Sequence, residues 1–227
     1  MMLGDLGARV IKIEEPARGD ETRAWGPPFL HGESAYFLSM NRNKESVAVD
    51  LKSPQGLELV RRIASQADVV VENFRPGVMD RLGLGYESLQ VENPGLVYAS
   101  VSGFGQTGPD REKPGYDMIV QAMSGSMHVS ATEEQGAVKV AFPVSDIVAA
   151  LFTSNAIVAA LLERTRTGTG RYLEVSLLEA MLCAQSNLAG SVLLTDCDPP
   201  RVGLAQGNIV PYQLFRCGDG AIVCGAL

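Results

Sequence analysis

Histidine is almost missing from this chain, with only His31 and His128, and that excludes a His-rich metal site. The four cysteines, Cys183, Cys197, Cys217 and Cys224, match neither a zinc pattern nor a redox pair, so reduced thiols in a cytosol-like compartment are expected. An excess of basic charge is lacking too. The net charge is −7 and the pI about 4.9, which argues against nucleic acid as a partner, because nucleic-acid binding leaves a broad basic footprint. No uninterrupted apolar run approaches the roughly 18 to 20 residues of a membrane span, and the front carries neither a signal peptide nor a basic, acid-poor transit segment. Membrane partners are therefore not expected either.

What is present is a chain of 227 residues, 46% hydrophobic and 20% charged, enough to bury a sizeable core. Strand and helix signals alternate, as in an α/β protein with a mainly parallel sheet. Strands are expected at 9–14, 47–50, 68–72, 96–102 and 172–175. Helices are expected at 54–65, 117–127 and 146–163, with helical turns over 76–90 and a further buried helix over 177–194. The helix from Asp146 is apolar almost all round, which suits a core or an interface. After Thr195 the run Asp196 to Arg201 breaks the pattern, and a strand pair follows around 212–216 and 221–224, joined by Gly218-Asp219-Gly220.

The segment from Ala67 to Tyr86, ADVVVENFRPGVMDRLGLGY, is the most informative. Val69, Val70 and Val71 read as a strand of a parallel sheet buried on both faces. The Asn73 to Gly77 breaker follows, with Pro76 at a first helical turn. Asn73, Phe74 and Arg81 then fall near the strand's carboxyl end, where ligands of open α/β sheets bind, and the edge can hold a phosphorylated ligand. Between Arg42 and Arg81 seven bases outnumber six acids, against the acidic average. Solvated helix faces carry such charges as well.

Two other patterns have plain readings. Asp146, between Val144-Ser145 and an apolar helix, reads as a helix N-cap. Gly103 to Gly108 satisfies GxGxxG after a strand, but Pro109 and a charged run stand where a dinucleotide site needs a helix. It is expected to be a mobile loop.

Beyond these local signals, the ordered set LGDLGARVIKIEEP, NRNKESVAVDLK, VENFRPG…DRLGLGY, SGFGQTGP, PGYD, VSDIVAALF and RTRTGTGRYLEVSLLEAM resembles the class III coenzyme A transferases of CaiB/BaiF type. That group contains formyl-CoA transferase, carnitine-CoA transferase and the related α-methylacyl-CoA racemase. GNIVPYQLF and DGAIVCGA look most like the subgroup that moves CoA between dicarboxylic acids such as succinate and hydroxymethylglutarate.

The resemblance implies a Rossmann-like large domain over residues 1–185, its first strand missing, a linker over 186–205, and the start of an incomplete small domain over 206–227. On this comparison the chain is truncated at both ends. The resemblance also implies a CoA transferase without a permanently bound cofactor and with no metal, using acyl-CoA and a carboxylic acid as substrates. Asp146 becomes the covalent nucleophile, ionised at neutral pH because an ordinary aspartate has a pKa of about 3.9. Coenzyme A falls to Val49, Lys52, Asn73, Phe74 and Arg81, and the substrate loop to Phe104, Gln106 and Tyr116.

Glu15, Ser102 and Phe104 depart from formyl-CoA transferase, so its substrate does not transfer. The racemase has a histidine where Tyr116 stands, and proton exchange needs an acid and a base, which makes racemisation the second expectation. A catalytically inactive truncated form is another. The complete protein is expected to be an interlocked homodimer in the cytoplasm, or in mitochondria if a preceding segment carries a targeting signal.

Overall fold

The computed structural model describes residues Met1 to Ala226. It is a mixed α/β structure whose residues form two sets. The first comprises 1–101 with 150–174, and the second 102–149 with the chain from 175 onward.

In the first set β1 (Val10–Glu14) pairs in parallel with β4 (Lys44–Ala48), Val10 opposite Lys44 and Glu14 opposite Ala48. Between them lie the short antiparallel strands β2 (Phe29–Leu30) and β3 (Glu33–Ser34). Helix α1 (Met2–Asp5) precedes β1, and α2 (Ala35–Asn41) is capped by Ser34, whose hydroxyl accepts the Phe37 N–H.

A three-stranded sheet has the order β5 (Val69–Glu72), β6 (Val97–Ser102), β7 (Arg171–Ser176). The first pair is parallel, with Val69 opposite Val97 and Glu72 opposite Ser100.

Strand alternation explains its packing. Leu96 and Tyr98 point to one face, against Ala64, Leu84 and Leu89 from helices and turns around α3 (Pro54–Ala64), α4 (Val78–Arg81) and α5 (Tyr86–Glu92). Val97 and Ala99 point to the other, against Ile157 and Ala160. Those two belong to the long helix, which follows α6 (Asp117–Met123) and α7 (Ser126–Val129) in the chain and is therefore α8 (Val144–Thr167). Gly170 is required at the entry to β7, since a Cβ there would lie 1.9 Å from the Leu96 carbonyl oxygen.

In the second set, α6 and α7 are followed by α9 (Leu177–Ala184), α10 (Ser186–Thr195) and the antiparallel hairpin β8 (Tyr212–Arg216) and β9 (Ala221–Gly225). Ser176 caps α9: its hydroxyl accepts the Glu179 N–H at 3.1 Å and donates to the Glu179 carboxylate at 2.8 Å.

Several expectations need correction. Val71 is 53% exposed, so β5 is not buried on both faces. The turn after β5 extends through Gly77, whose φ of 76° is left-handed, so α4 starts at Val78 and Pro76 lies outside it. The helix expected over 117–127 breaks at Gly125, φ 80°.

The helix expected over 177–194 is two helices meeting at 85°. Its second half is not buried, with Leu193 and Leu194 more than four-fifths exposed. Residues 186–205, expected to be a linker, thus open with the ten residues of α10. Finally, α8 is by length and composition apolar enough to cross a membrane. Thr153, Ser154 and Asn155 interrupt the continuous run without lowering its average much, and Ile157 and Ala160 serve the sheet core.

Candidate active site

The first group of residues gathers at the carboxyl end of β5. Glu72 closes the strand and is buried, Asn73 begins the turn, and Phe74 is 44% exposed. The Asn73 side-chain amide donates to the Val101 carbonyl at 2.7 Å. The Phe74 N–H donates to the Glu72 carboxylate at 2.7 Å. Gly77 leaves room for Arg81, whose Nη1 would be 3.2 Å from a Cβ at that glycine, so the guanidinium folds back over the turn. An exposed aromatic ring and a nearby guanidinium can together hold a nucleotide and its phosphate. Among the described residues no ion pair takes Lys52, Arg75 or Arg81, whereas Arg42 is bound to Asp5 and Arg61 to Glu92.

Lys52 is exposed, with its backbone N–H on the Asp50 carboxylate at 2.9 Å. Val49 is only 5% exposed and its N–H donates to the Glu14 carbonyl, so its side chain is core rather than a ledge for a ligand. Glu15 accepts the N–H groups of Ala17 and Arg18 and shapes a turn.

The second group surrounds Asp146. The helix begins three residues earlier than an N-cap at this position requires, so Asp146 is the third residue of α8 and not its cap. Burial first, and the Asp117 charge second, push its pKa up to about 6. By accessible surface Asp146 is nevertheless an exposed residue, so it is the crowding around its carboxyl and not enclosure of the side chain that desolvates it. The expectation of an ordinary aspartate therefore fails: desolvation outweighs the favourable end of the helix dipole. At neutral pH the ionised form still predominates.

Asp117 is held on both oxygens. Oδ1 accepts the Ser145 N–H at 3.0 Å and the Ser145 hydroxyl at 2.8 Å, and Oδ2 accepts from Gln121 Nε2 at 2.8 Å. Gln121 is fully buried, and its Oε1 accepts the Val140 N–H at 2.8 Å. These bonds fix the start of α8 from α6.

The loop of Phe104 and Gln106 is anchored. Gly105 donates its N–H to the Ser102 hydroxyl at 3.0 Å, and the Gly103 carbonyl accepts from the Leu178 N–H. A Cβ on Gly103 would lie 2.3 Å from the Gly115 Cα, and one on Gly115 would lie 2.1 Å from the Gly103 Cα. The loop and the PGYD segment touch through bare backbone. Phe104 and Gln106 are half-buried, while Tyr116 is 72% exposed. Among the described residues no group of three or more His, Cys, Asp or Glu is arranged to hold a metal ion.

An aspartate on a helix's first turn and a nucleotide-like edge after a parallel strand are common in α/β proteins. Comparison with known proteins decides between families. The model of CoA-transferase family III matches residues 1–227. The chain belongs to CoA-transferase family III.

Among its relatives, succinyl-CoA:glutarate CoA-transferase of Mus musculus is 46% identical over 226 residues, covering 100% of this chain and 52% of the relative. Succinate–glutarate CoA-transferase of Agrobacterium fabrum is 43% identical, covering 98% and 57% respectively. The crystal structure of a CaiB/BaiF family protein from Brucella suis superimposes with a TM-score of 0.91 at 44% identity, over 98% of this chain and 60% of that one. The chain thus spans about half the length of the curated relatives it matches.

Sequence reasoning about this family member missed Asp117, Gln121 and Glu72. PGYD drew attention to Tyr116, yet the aspartate beside it makes the bonds. Glu72 could have been found from a carboxylate inside an otherwise apolar strand.

Proposed function

We propose that this chain supplies the CoA-binding edge and the acyl-accepting carboxylate of a transferase that moves coenzyme A between an acyl-CoA and a free carboxylic acid, with a dicarboxylate preference. The relatives' names support the reaction class, and two of them carry succinate and glutarate in those names. The nucleotide role goes to Phe74, Arg81 and Lys52, and the acyl role to Asp146.

An Asp146 carboxylate oxygen attacks the thioester carbonyl. The carbon–sulfur bond breaks, CoA leaves as thiolate, and an acyl-aspartyl anhydride remains. The thiolate then attacks the aspartyl carbonyl, releasing the donor acid and leaving an aspartyl-CoA thioester. The acceptor carboxylate attacks that thioester, and the expelled thiolate takes the acceptor's acyl group from the resulting anhydride. Each step exchanges one activated acyl group for another, so the sequence needs no external energy source, and covalent catalysis divides one hard transfer into easier ones. The carrying observation is Asp146 on the first turn of α8, predominantly ionised at neutral pH although protein crowds it.

The same proposal includes a homodimer, supported by the apolar side chains that α8 leaves exposed, Leu151, Phe152, Val158 and Leu162.

The test is to incubate the protein with succinyl-CoA, denature it, treat it with hydroxylamine and map the peptides. Hydroxamate confined to Asp146 supports the proposal. An unmodified Asp146 peptide, with the CoA thioester intact, refutes it for this chain.

A further inference from the structure

The end of β5 is built at a cost. Glu72 is 9% exposed, and burial pushes its carboxyl up from the usual range. On the adjacent strand the Tyr98 hydroxyl is buried with no hydrogen-bond partner among the described residues. Its ring stacks on Tyr172 with centroids 5.9 Å apart. A strand end that needed only stability would be better served by apolar side chains, since buried polar groups give little net stabilisation even when partly satisfied.

What the polar residues do provide is a fixed turn. Two donors converge on Glu72: the Ser100 hydroxyl on one carboxylate oxygen, and the Phe74 N–H at 2.7 Å on the other. Asn73, lying between, sends its amide to the Val101 carbonyl. Residues 72 to 74 are therefore tied to β6 at two successive positions, Ser100 and Val101. The backbone at Phe74 is held from beneath while its ring is left outside.

We propose that Glu72 is a positioning residue for coenzyme A, clamping the Phe74 backbone to β6 so that the ring and the following Arg81 turn stand preformed for the nucleotide. This rests on the CoA-binding role proposed above for that turn. Preformation lowers the ordering cost of binding. Loss of Glu72 thus weakens CoA binding without touching the acyl-accepting group.

The test measures CoA itself by titration calorimetry, with hydrogen exchange at the 73–77 backbone as a second readout. Glu72→Gln keeps an oxygen for the Phe74 N–H and a polar partner for Ser100, and is expected to bind within about threefold of the unaltered protein. Glu72→Ala is expected to bind at least tenfold more weakly and to lose exchange protection at Phe74 while the Val97–Ser102 strand keeps its own. Glu72→Asp, too short to reach both donors, serves if the alanine variant does not fold, with a loss of about fivefold. A folded Ala or Asp variant with unchanged CoA affinity overturns the inference and leaves the function standing. Failure of the unaltered protein to bind CoA overturns both.

Discussion

Asp117 accepts both the backbone N–H and the hydroxyl of Ser145 through a single oxygen, at 3.0 and 2.8 Å. The residue next to Ser145 is Asp146, so the carboxylate that organises the start of α8 also lends its charge to the proposed nucleophile. Substituting Asp117 by Asn keeps an oxygen for Ser145 but turns an NH2 toward Gln121 Nε2, which already donates, while Gln121 Oε1 is held by Val140. Two facing donors cost about 1–2 kcal/mol, readable by chemical denaturation. The same substitution should lower the Asp146 pKa below about 6, yet leave it above the ordinary value, because burial is the larger cause. A carbon NMR titration of the Asp146 carboxyl measures this. An unmoved midpoint would show that Asp117 exerts no charge effect there.

Asp146 itself predicts an acid limb. With the pKa at about 6, acyl transfer should be half-maximal near that pH and fall about tenfold for each further unit of acid, since only the carboxylate attacks. Initial rates of thioester consumption between pH 4.5 and 8 give the profile. A midpoint near 4 would mean that desolvation does not govern the group during turnover.

The raised pKa also fixes a sign for stability. The folded state binds this proton more tightly than the unfolded state, so the contribution of Asp146 is most favourable below the unfolded value and is lost as pH rises through about 6. Asp146→Asn should therefore melt higher than the unaltered protein at pH 8, and the difference should close by pH 4. Thermal melts at the two pH values check it, and a lower melting temperature for the variant at pH 8 contradicts it.

Much of this architecture is legible in local sequence because local chemistry sets it. Ser53-Pro54 starts α3, with the Ser53 hydroxyl accepting the Gly56 N–H, and the valines of β5 find a parallel partner in β6. The hairpin of β8 and β9 follows its Gly-Asp-Gly turn. The bend between α9 and α10 has no such signal: no proline or glycine stands at Gln185, whose side chain instead donates to the Ser124 and Met181 carbonyls. The bonds made by Asp117 and Glu72 are hidden for the same reason. Their partners Ser145 and Ser100 lie 28 residues away, and no spacing rule within one element reveals a bond between elements. Val49 shows the converse, a residue chosen through the family resemblance whose side chain is core.

Away from both groups, Glu14 offers a stability test of opposite sign. The Arg23 guanidinium holds its carboxyl down to about 2, with help from the Ser46 hydroxyl and the Asp20 N–H. A depressed carboxylate contributes stability above its unfolded value, and that contribution is lost as pH falls through about 2. Arg23→Ala leaves the buried Glu14 without its cation and should cost about 2–3 kcal/mol at pH 7, somewhat below the usual penalty for a broken buried pair because Arg23 is 30% exposed. Urea denaturation should show this gap at pH 7 and a smaller one as the pH approaches 2.

The contact between Gly103 and Gly115 makes a prediction about coupling. Each glycine's missing Cβ would lie under 2.4 Å from the other's Cα, a separation no relaxation of a side chain can cure, because both sides are backbone. Gly103→Ala must push the SGFGQTGP loop off PGYD, and Gly115→Ala must do the same from the other side. Each should cost about 2 kcal/mol or more, as overpacking does. Once one alanine has parted the segments, the second has less left to disturb, so the double variant should lose clearly less than the sum of the two. A four-way denaturation cycle measures the shortfall. Strict additivity would show that the two glycines fail independently, and the loop's anchoring would then have to rest on Ser102 and Leu178 alone.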